Sequence, residues 1–117
     1  MKLRAALLAF VVTAIAFFAA ACEKVTIARL IDDPTKYANK EVGVVGTVSN
    51  SFGVSVLGQG GGIYKVDDGT GSIWVVSQRG VPVKGARVGV KGRVQNGVVY
   101  NGKNYGLGMI EDDRRVR

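Results

Sequence analysis

The 117-residue chain contains no histidine, and Cys22 is its single cysteine. The lack of histidine excludes Ser–His and Cys–His nucleophiles and an imidazole acid or base that titrates near neutral pH. One cysteine and no histidine also provide neither a set of zinc ligands nor an intramolecular disulfide. We therefore expect a protein that is not an enzyme, holds no metal, needs no cofactor and is stabilised by its apolar core.

Acidic residues are also scarce, and none lies between Gly69 and Ile110. Six basic residues fall in that stretch: Arg79, Lys84, Arg87, Lys91, Arg93 and Lys103. Over the whole chain, 16 basic residues against 9 acidic ones give a formal net charge of +7. A stretch that carries positive charge and no negative charge favours anionic partners such as nucleic acid, phosphorylated headgroups or acidic protein surfaces.

Two glycine-containing segments indicate connections, not ligand sites. The segment Asp67–Ser72 lacks the spacing and the closing glutamate of a calcium loop, so its composition predicts a turn. Residues 58–62 are almost all glycine, but no Lys-Ser/Thr pair follows them as in a phosphate-binding loop. We expect a flexible loop there.

The first 21 residues have the features of a signal peptide. Lys2 and Arg4 precede an apolar stretch at 5–18, and three alanines then lead directly into Cys22. The arrangement resembles a bacterial lipoprotein signal, although Ala19 stands where that family usually has leucine. The resemblance implies that Cys22 becomes the diacylated first residue of the mature protein and attaches it to a membrane.

Two other interpretations of this segment stay open. The alanines also suit ordinary secretory cleavage, and the apolar stretch could remain as an uncleaved anchor, although a span usually needs about 20 apolar residues. All three interpretations export the domain. Many enteric bacteria have aspartate after the lipidated cysteine for inner-membrane retention, whereas this chain has Glu23. We therefore expect the periplasmic side of the outer membrane, in a host that has one.

The apolar pattern after residue 25 changes from helical to strand periodicity. Ile27, Leu30 and Ile31 recur at helical spacing, and Asp33-Pro34 predicts the start of a second short helix that ends near Tyr37. We expect these four apolar side chains to close one mouth of the core.

Two similar segments, Val42–Val48 and Val88–Val94, both read Val-Gly-Val-x-Gly-x-Val. Their alternation predicts the first and fourth strands of a small barrel, which we expect to bend at glycine. Between the two repeats, residues 63–67 and 72–77 are predicted to form the two strands of a hairpin. Asn96-Gly97 predicts another hairpin, into residues 98–101, before a last strand near 107–111.

Three stretches of the sequence resemble bacterial OB-fold domains: Ile31-x-x-Pro34-x-x-Tyr37, Tyr64-x-Val66-x-Asp68-Gly69-Thr70-Gly71, and Gly85-x-x-Val88-x-Val90-x-Gly92. The resemblance covers about residues 31–110. It implies an all-β, five-stranded OB-fold barrel with a short N-terminal helical segment, in which the first and fourth strands are neighbours and close the barrel. It does not specify the function, because OB-folds carry many unrelated functions.

The plan of an N-terminal membrane attachment followed by an exported OB-fold is also similar to the periplasmic haem chaperone of cytochrome c maturation. That family attaches haem through a histidine near its C-terminus. This chain has no histidine, and Tyr105 alone does not replace one. The resemblance therefore implies no haem role here.

Two groups of residues are candidates for ligand binding. Alternation places Trp74 on the outer face of the third strand with Lys65 nearby, an arrangement that could stack and pair with an extended ligand or merely pack under a loop. On the fourth strand Arg87, Lys91 and Arg93 share the outer face, either as a binding stripe or as an ordinary solvated surface.

We thus expect a signal peptide at 1–21, a lipidated tether at 22–25, an OB-fold at 26–113 and a basic tail at 114–117. The expected function is non-catalytic binding of an anionic or extended ligand, or of an envelope protein, by a lipid-anchored module. The alternatives are an assembly component of an envelope complex and a nucleic-acid-binding protein, which export makes less favourable.

Overall fold

A computed structural model describes residues 23–56 and 59–117 of the chain. The predicted signal peptide and the predicted lipid attachment at Cys22 lie outside the described residues. Neither of the two helices in the described part of the chain has the length and apolar character that a membrane crossing requires.

Five strands form a closed barrel: β1 (Glu41–Val56), β2 (Gln59–Asp67), β3 (Ser72–Ser77), β4 (Arg87–Gln95) and β5 (Gly108–Val116). Their order around the barrel is β1-β2-β3-β5-β4, and pairing between β4 and β1 closes it. Among these five strands, β3 and β5 form the one parallel pair. The predicted five-stranded all-β barrel is confirmed.

The two glycine-rich repeats pair with each other, as predicted for the first and fourth strands. Glu41–Thr47 runs antiparallel to Arg87–Arg93, with Val44 opposite Val90. The valines of both repeats that point inward are buried in one core cluster: Val42, Val44, Val48, Val88, Val90 and Val94. The barrel is therefore closed by two strands of the same inward-facing pattern.

The second glycine of each repeat points inward and permits a close backbone approach. A Cβ on Gly46 would lie 2.5 Å from the carbonyl oxygen of Asp67, and one on Gly92 would overlap the carbonyl oxygen of Ile110. Gly46 lies where β1 passes from pairing with β4 to pairing with β2. Gly92 lies at an irregularity in the β4–β5 register.

Two short helices, α1 (Ile27–Asp32) and α2 (Pro34–Tyr37), precede the barrel as predicted. Thr26 caps α1, and Asp33 caps α2 through a hydrogen bond from the Lys36 amide. Ile27, Leu30 and Tyr37 are buried in the core, but Ile31 is 47% exposed. The prediction for Ile31 is wrong because a six-residue helix presents only the Ile27/Leu30 side to the barrel.

The turn between β2 and β3 attaches α1 to the barrel. The Asp68 carboxylate accepts hydrogen bonds from the amides of Ile27, at 2.9 Å, and of Thr70, at 2.9 Å. Partial burial opposes ionisation of this group, but these hydrogen bonds outweigh it and lower the pKa of Asp68. The Asp68 carboxylate thus stabilises the predicted turn and its contact with α1. Within the described residues no group of three or more metal-ligating side chains occurs.

The prediction of a loop at residues 58–62 is wrong for its described part. Gly60, Gly61 and Gly62 belong to β2 and pair with residues 53–55 of β1, which extends the β1–β2 hairpin well beyond the barrel's closing pair. Val81 lies against this hairpin: a Cβ on Gly53 would be 2.9 Å from its side chain, and one on Gly62 would be 2.5 Å from it. Glycine is required there by packing, not by flexibility.

Two predictions near the C-terminus are also wrong. Val99–Tyr100 pairs with Lys103–Asn104 in a small separate hairpin, not with β4. Asn101 and Gly102 both have positive φ and form its turn, the backbone that Asn-Gly favours. The expected basic tail at 114–117 is mostly strand, because β5 continues to Val116 opposite Val88.

A buried carboxylate joins three strands at the end of the β2–β3 hairpin away from its turn. Glu111, on β5, accepts hydrogen bonds from the hydroxyl of Tyr64 and from Ser77 Oγ, the latter at 2.7 Å. Arg114 completes an ion pair with it at 2.8 Å, and the carboxylate side chain is only 2% exposed. Burial, reinforced by the hydrogen bond to Glu111, raises the pKa of Tyr64 above its ordinary value.

We expect Gly92→Ala to lower the free energy of unfolding by about 2–3 kcal/mol, because its methyl group would overlap the β5 backbone. Gly89→Ala is the matched control from the same repeat, since its methyl group would meet only the Val45 side chain, at 3.9 Å. Urea unfolding of both variants provides the measurement. Equal stability of the two variants would contradict the proposed role of the second glycine.

We expect Tyr64→Phe to lower the free energy of unfolding by about 1 kcal/mol at pH 7, because Glu111 loses a hydrogen bond. The folded-state pKa of Tyr64 is raised, so the stability from its neutral phenol is complete below about pH 10 and lost as pH rises further. Between pH 9 and pH 11 the free energy of unfolding, measured with urea, should therefore fall less for the variant than for the wild type. Tyr100→Phe, in the outer hairpin, is the control and should change neither quantity.

Candidate functional site: an aromatic platform with two lysines

The outer face of β2 and β3 holds a row of three aromatic rings, from Phe52, Trp74 and Tyr105. The Phe52 and Trp74 rings are stacked, with centroids 6.2 Å apart and planes 27° apart. Tyr105 is tilted against the other side of Trp74, with centroids 5.0 Å apart. We call these three residues the aromatic platform.

Three different parts of the chain supply the platform. Phe52 comes from the extended β1–β2 hairpin, Trp74 from β3, and Tyr105 from the connection between β4 and β5. Ile63 lies on the same face as Phe52, which it opposes in the sheet register, and is fully buried there. The platform thus rests on an apolar base outside the barrel core.

The connection that carries Tyr105 is held on the barrel by its own hydrogen bonds and by one apolar contact. The amides of Val98 and Tyr105 donate to the carbonyls of Gly106 and Val98, each at 2.9 Å. Val98 is fully buried and lies over Gly108, where a Cβ would be 2.6 Å from its side chain. Tyr105 is therefore held beside Trp74 by an ordered segment.

Two lysines lie over the platform rings. Lys65 is directly opposite Trp74 in the β2–β3 register, and its Nζ is 5.6 Å from the centroid of that ring. Lys103 Nζ is 5.0 Å from the centroid of Tyr105. Such geometry allows a cation–π attraction and holds positive charge next to exposed aromatic surface.

The platform remains accessible. Phe52 is 50% exposed, and Trp74, Tyr105 and Lys65 are half-buried. Flat rings with adjacent ammonium groups can stack on planar or ring-shaped ligand groups while pairing with anionic ones. On OB-folds this face and the loops beside it, between strands one and two and between strands four and five, are the general ligand-binding region.

The structure brings together Lys65 and Trp74, as the sequence alternation predicts, and adds Phe52, Tyr105 and Lys103. Sequence reasoning missed these three because they lie 13 to 31 positions from the nearer of Lys65 and Trp74 and share no strand with it. The Asn101-Gly102 turn signal could have located Lys103 and Tyr105 on a hairpin, although not its position against Trp74.

The other predicted residues, Arg87, Lys91 and Arg93, lie on the outer face of β4, away from the platform. Lys91 forms an ion pair with Glu41 at 3.1 Å, and this hydrogen-bonded ammonium lowers the pKa of Glu41. Arg93 borders a small hollow with Asp112, whereas Arg87 lines a different, basic groove. Arg87 and Lys91 line the same groove, which Arg93 does not border. Ligand binding by these three residues stays a prediction.

Comparison with family models gives no match, and neither does comparison with curated proteins. Among solved structures, the second OB-fold domain of replication protein A from Methanococcus maripaludis is similar over 80% of this chain and 93% of that domain. The TM-score is 0.55 and the sequence identity 18%.

A putative aspartyl-tRNA synthetase from Leishmania major Friedlin is similar over 80% of this chain, with a TM-score of 0.54 and 11% identity. This chain spans only 20% of the synthetase chain. At such identities the likeness shows the fold alone. Barrel order and structural likeness together define the protein as an OB-fold domain.

Proposed function

We propose that the protein is a non-enzymatic binding module that holds an extended anionic ligand across the aromatic platform. The observation that carries this proposal is the ring row Phe52–Trp74–Tyr105 with Lys65 and Lys103 over its rings. A binding face needs no nucleophile or metal, which agrees with the chain's lack of histidine.

Single-stranded nucleic acid is the extended anion that uses both features of the platform. Its bases offer flat surfaces for the rings, and its phosphates pair with lysine ammonium groups. The net charge of +7 supports the same ligand class, because attraction to phosphates is largely electrostatic. An acidic envelope component would use the lysines but gain less from the three rings.

We further propose that the module is exported and attached to the cell envelope by lipid on Cys22. The sequence before the described residues supports this, with its basic start, its apolar stretch and its alanines before the cysteine. The ligand would then be bound at the envelope, and an envelope assembly that recruits the barrel is the corresponding protein-partner alternative.

Binding is tested by fluorescence anisotropy of a labelled oligothymidylate of about ten nucleotides, within the usual range for one OB-fold. The full chain, in detergent, is compared with Trp74→Ala, Phe52→Ala and Lys65→Gln. Loss of the Trp74 stack should weaken binding by about tenfold or more, and salt should weaken it further.

Val83→Ala and Lys84→Gln are the controls, because both residues are exposed on the β3–β4 connection and neither contacts a platform ring. A sulfated oligosaccharide and an acidic peptide serve as competing probes. Each competitor is matched in charge to the oligonucleotide. If either one competes as strongly as unlabelled oligonucleotide does, nucleic acid is not the specific ligand. Unchanged affinity of all three platform variants would refute the platform itself.

Lipid attachment is tested by mass spectrometry of the protein isolated from bacterial membranes. We expect a mature N-terminus at Cys22 that carries the mass of a diacylglyceryl group. Cys22→Ser should abolish the added mass and leave the precursor uncleaved. An intact Met1 without lipid in the wild type would contradict the proposal, and an unmodified Cys22 terminus would indicate ordinary secretion.

A further inference from the structure

A groove of about 530 Å³ lies on the outer face of the β1–β4–β5 part of the barrel. The sheet register sets its floor: Gly43 is opposite Lys91, and Gly89 lies between Val45 on β1 and Arg115 on β5. The first glycines of the two repeats thus point outward, and their missing side chains leave the groove open. The first glycine of each repeat shapes this surface, whereas the second serves barrel closure.

Four exposed basic residues surround this floor, and we call them the basic groove: Lys24, Arg87, Arg115 and Arg117. Among the residues that the structure describes, none of the four forms an ion pair. The acidic groups nearby are both next to Lys91: Glu41 forms an ion pair with it, and Asp113 lies opposite it in the β4–β5 register. Positive charge therefore dominates the groove away from Lys91.

The groove lies where the chain enters the domain. Glu23–Lys24 is a two-residue strand that pairs in parallel with Val42 and Gly43, and the Val25 amide donates to the Gly43 carbonyl at 3.0 Å. Lys24, a groove residue, is two positions after Cys22. A lipid on Cys22 would thereby be joined to the rim of the basic groove through one intervening residue, Glu23.

We propose that the basic groove docks on anionic phospholipid headgroups of the membrane that holds the N-terminus, and so orients the domain. The proposal rests on the membrane attachment proposed above. Charge complementarity and the position of Lys24 both support a lipid surface. Basic residues next to a membrane attachment are attracted to an anionic leaflet, and each strengthens the contact by about fivefold.

This orientation leaves the aromatic platform free for its ligand. In the closed order β1-β2-β3-β5-β4, the strands β2 and β3 are the two that do not neighbour β4. Docking through β4 therefore places the platform on the side of the barrel away from the membrane. The two basic regions of the protein would serve two different anions, a lipid surface and an extended ligand.

The test is lysine acetylation measured by mass spectrometry on the full chain reconstituted in vesicles. One set of vesicles contains only phosphatidylcholine, and the other contains phosphatidylcholine with phosphatidylglycerol. In anionic vesicles we expect Lys24 and Lys91 to react at least about fivefold more slowly than in neutral ones, as expected for contact with an anionic leaflet. Lys65 and Lys103, on the platform, should react equally in both and serve as internal controls.

The variant Arg87→Gln/Arg115→Gln/Arg117→Gln should lose this protection while staying attached to the vesicles. Arg29→Gln/Lys40→Gln/Lys84→Gln removes the same charge from exposed positions outside the groove and should retain it. Circular dichroism and thermal melting of both variants check that the barrel is intact. If the groove variant has lost its fold, single substitutions at Arg87 and Arg115 replace it, and partial loss of protection is then expected.

Three outcomes would overturn the proposal. Equal labelling of Lys24 and Lys91 in both kinds of vesicle, with the chain attached, would refute groove docking and leave the attachment intact. Failure of the full chain to float with either vesicle would refute both the attachment and the docking. If added oligothymidylate protects Lys24 and Lys91 from acetylation but leaves Lys65 and Lys103 reactive, the groove binds nucleic acid and not the membrane.

Discussion

The close backbone approach of β1 to β2 at Gly46, and of β4 to β5 at Gly92, is the constraint on which the other features depend. It requires no side chain at two inward positions, Gly46 and Gly92, because carbonyl oxygens of neighbouring strands occupy the space. Pairing of β1 with β4 closes the order β1-β2-β3-β5-β4, which places β2 and β3 on one side of the barrel and β4 on the other. The same repeat therefore determines both the core and the placement of the surfaces.

The polar interior is concentrated in one network. Glu111 receives hydrogen bonds from Tyr64 and Ser77 and an ion pair from Arg114, so that the carboxylate has partners on β2, β3 and β5. A buried carboxylate is favourable only when such partners are complete, because desolvation of an unpaired charge is costly. Arg114 extends the network along β5, whose residues 114–116 are strand because they pair with Val88–Val90 of β4.

The two outer faces differ in chemistry although both are basic. The β2–β3 face combines lysine with aromatic rings, whereas the β4 face combines arginine and lysine with glycine and exposes little aromatic surface. Aromatic rings let a charged surface also stack on a ligand and orient it, whereas glycine only leaves space for the ligand. This contrast is the physical basis for assigning different ligands to the two faces.

The resemblance to OB-folds predicted the pairing of the two repeats. Period-two alternation predicted the barrel strands and the outward direction of Lys65 and Trp74, and the composition of the turn predicted the turn at Asp68. These features depend on contacts that are local or on a pattern of burial that one strand displays by itself. Gly62 could not be interpreted in this way, because the side chain that leaves no room for a Cβ there is Val81, 19 positions later. The position of Phe52 and Tyr105 against Trp74, and of Lys24 beside Arg87 and Arg115, was decided only by tertiary structure. Register and barrel closure bring those residues together across distances that carry no sequence periodicity.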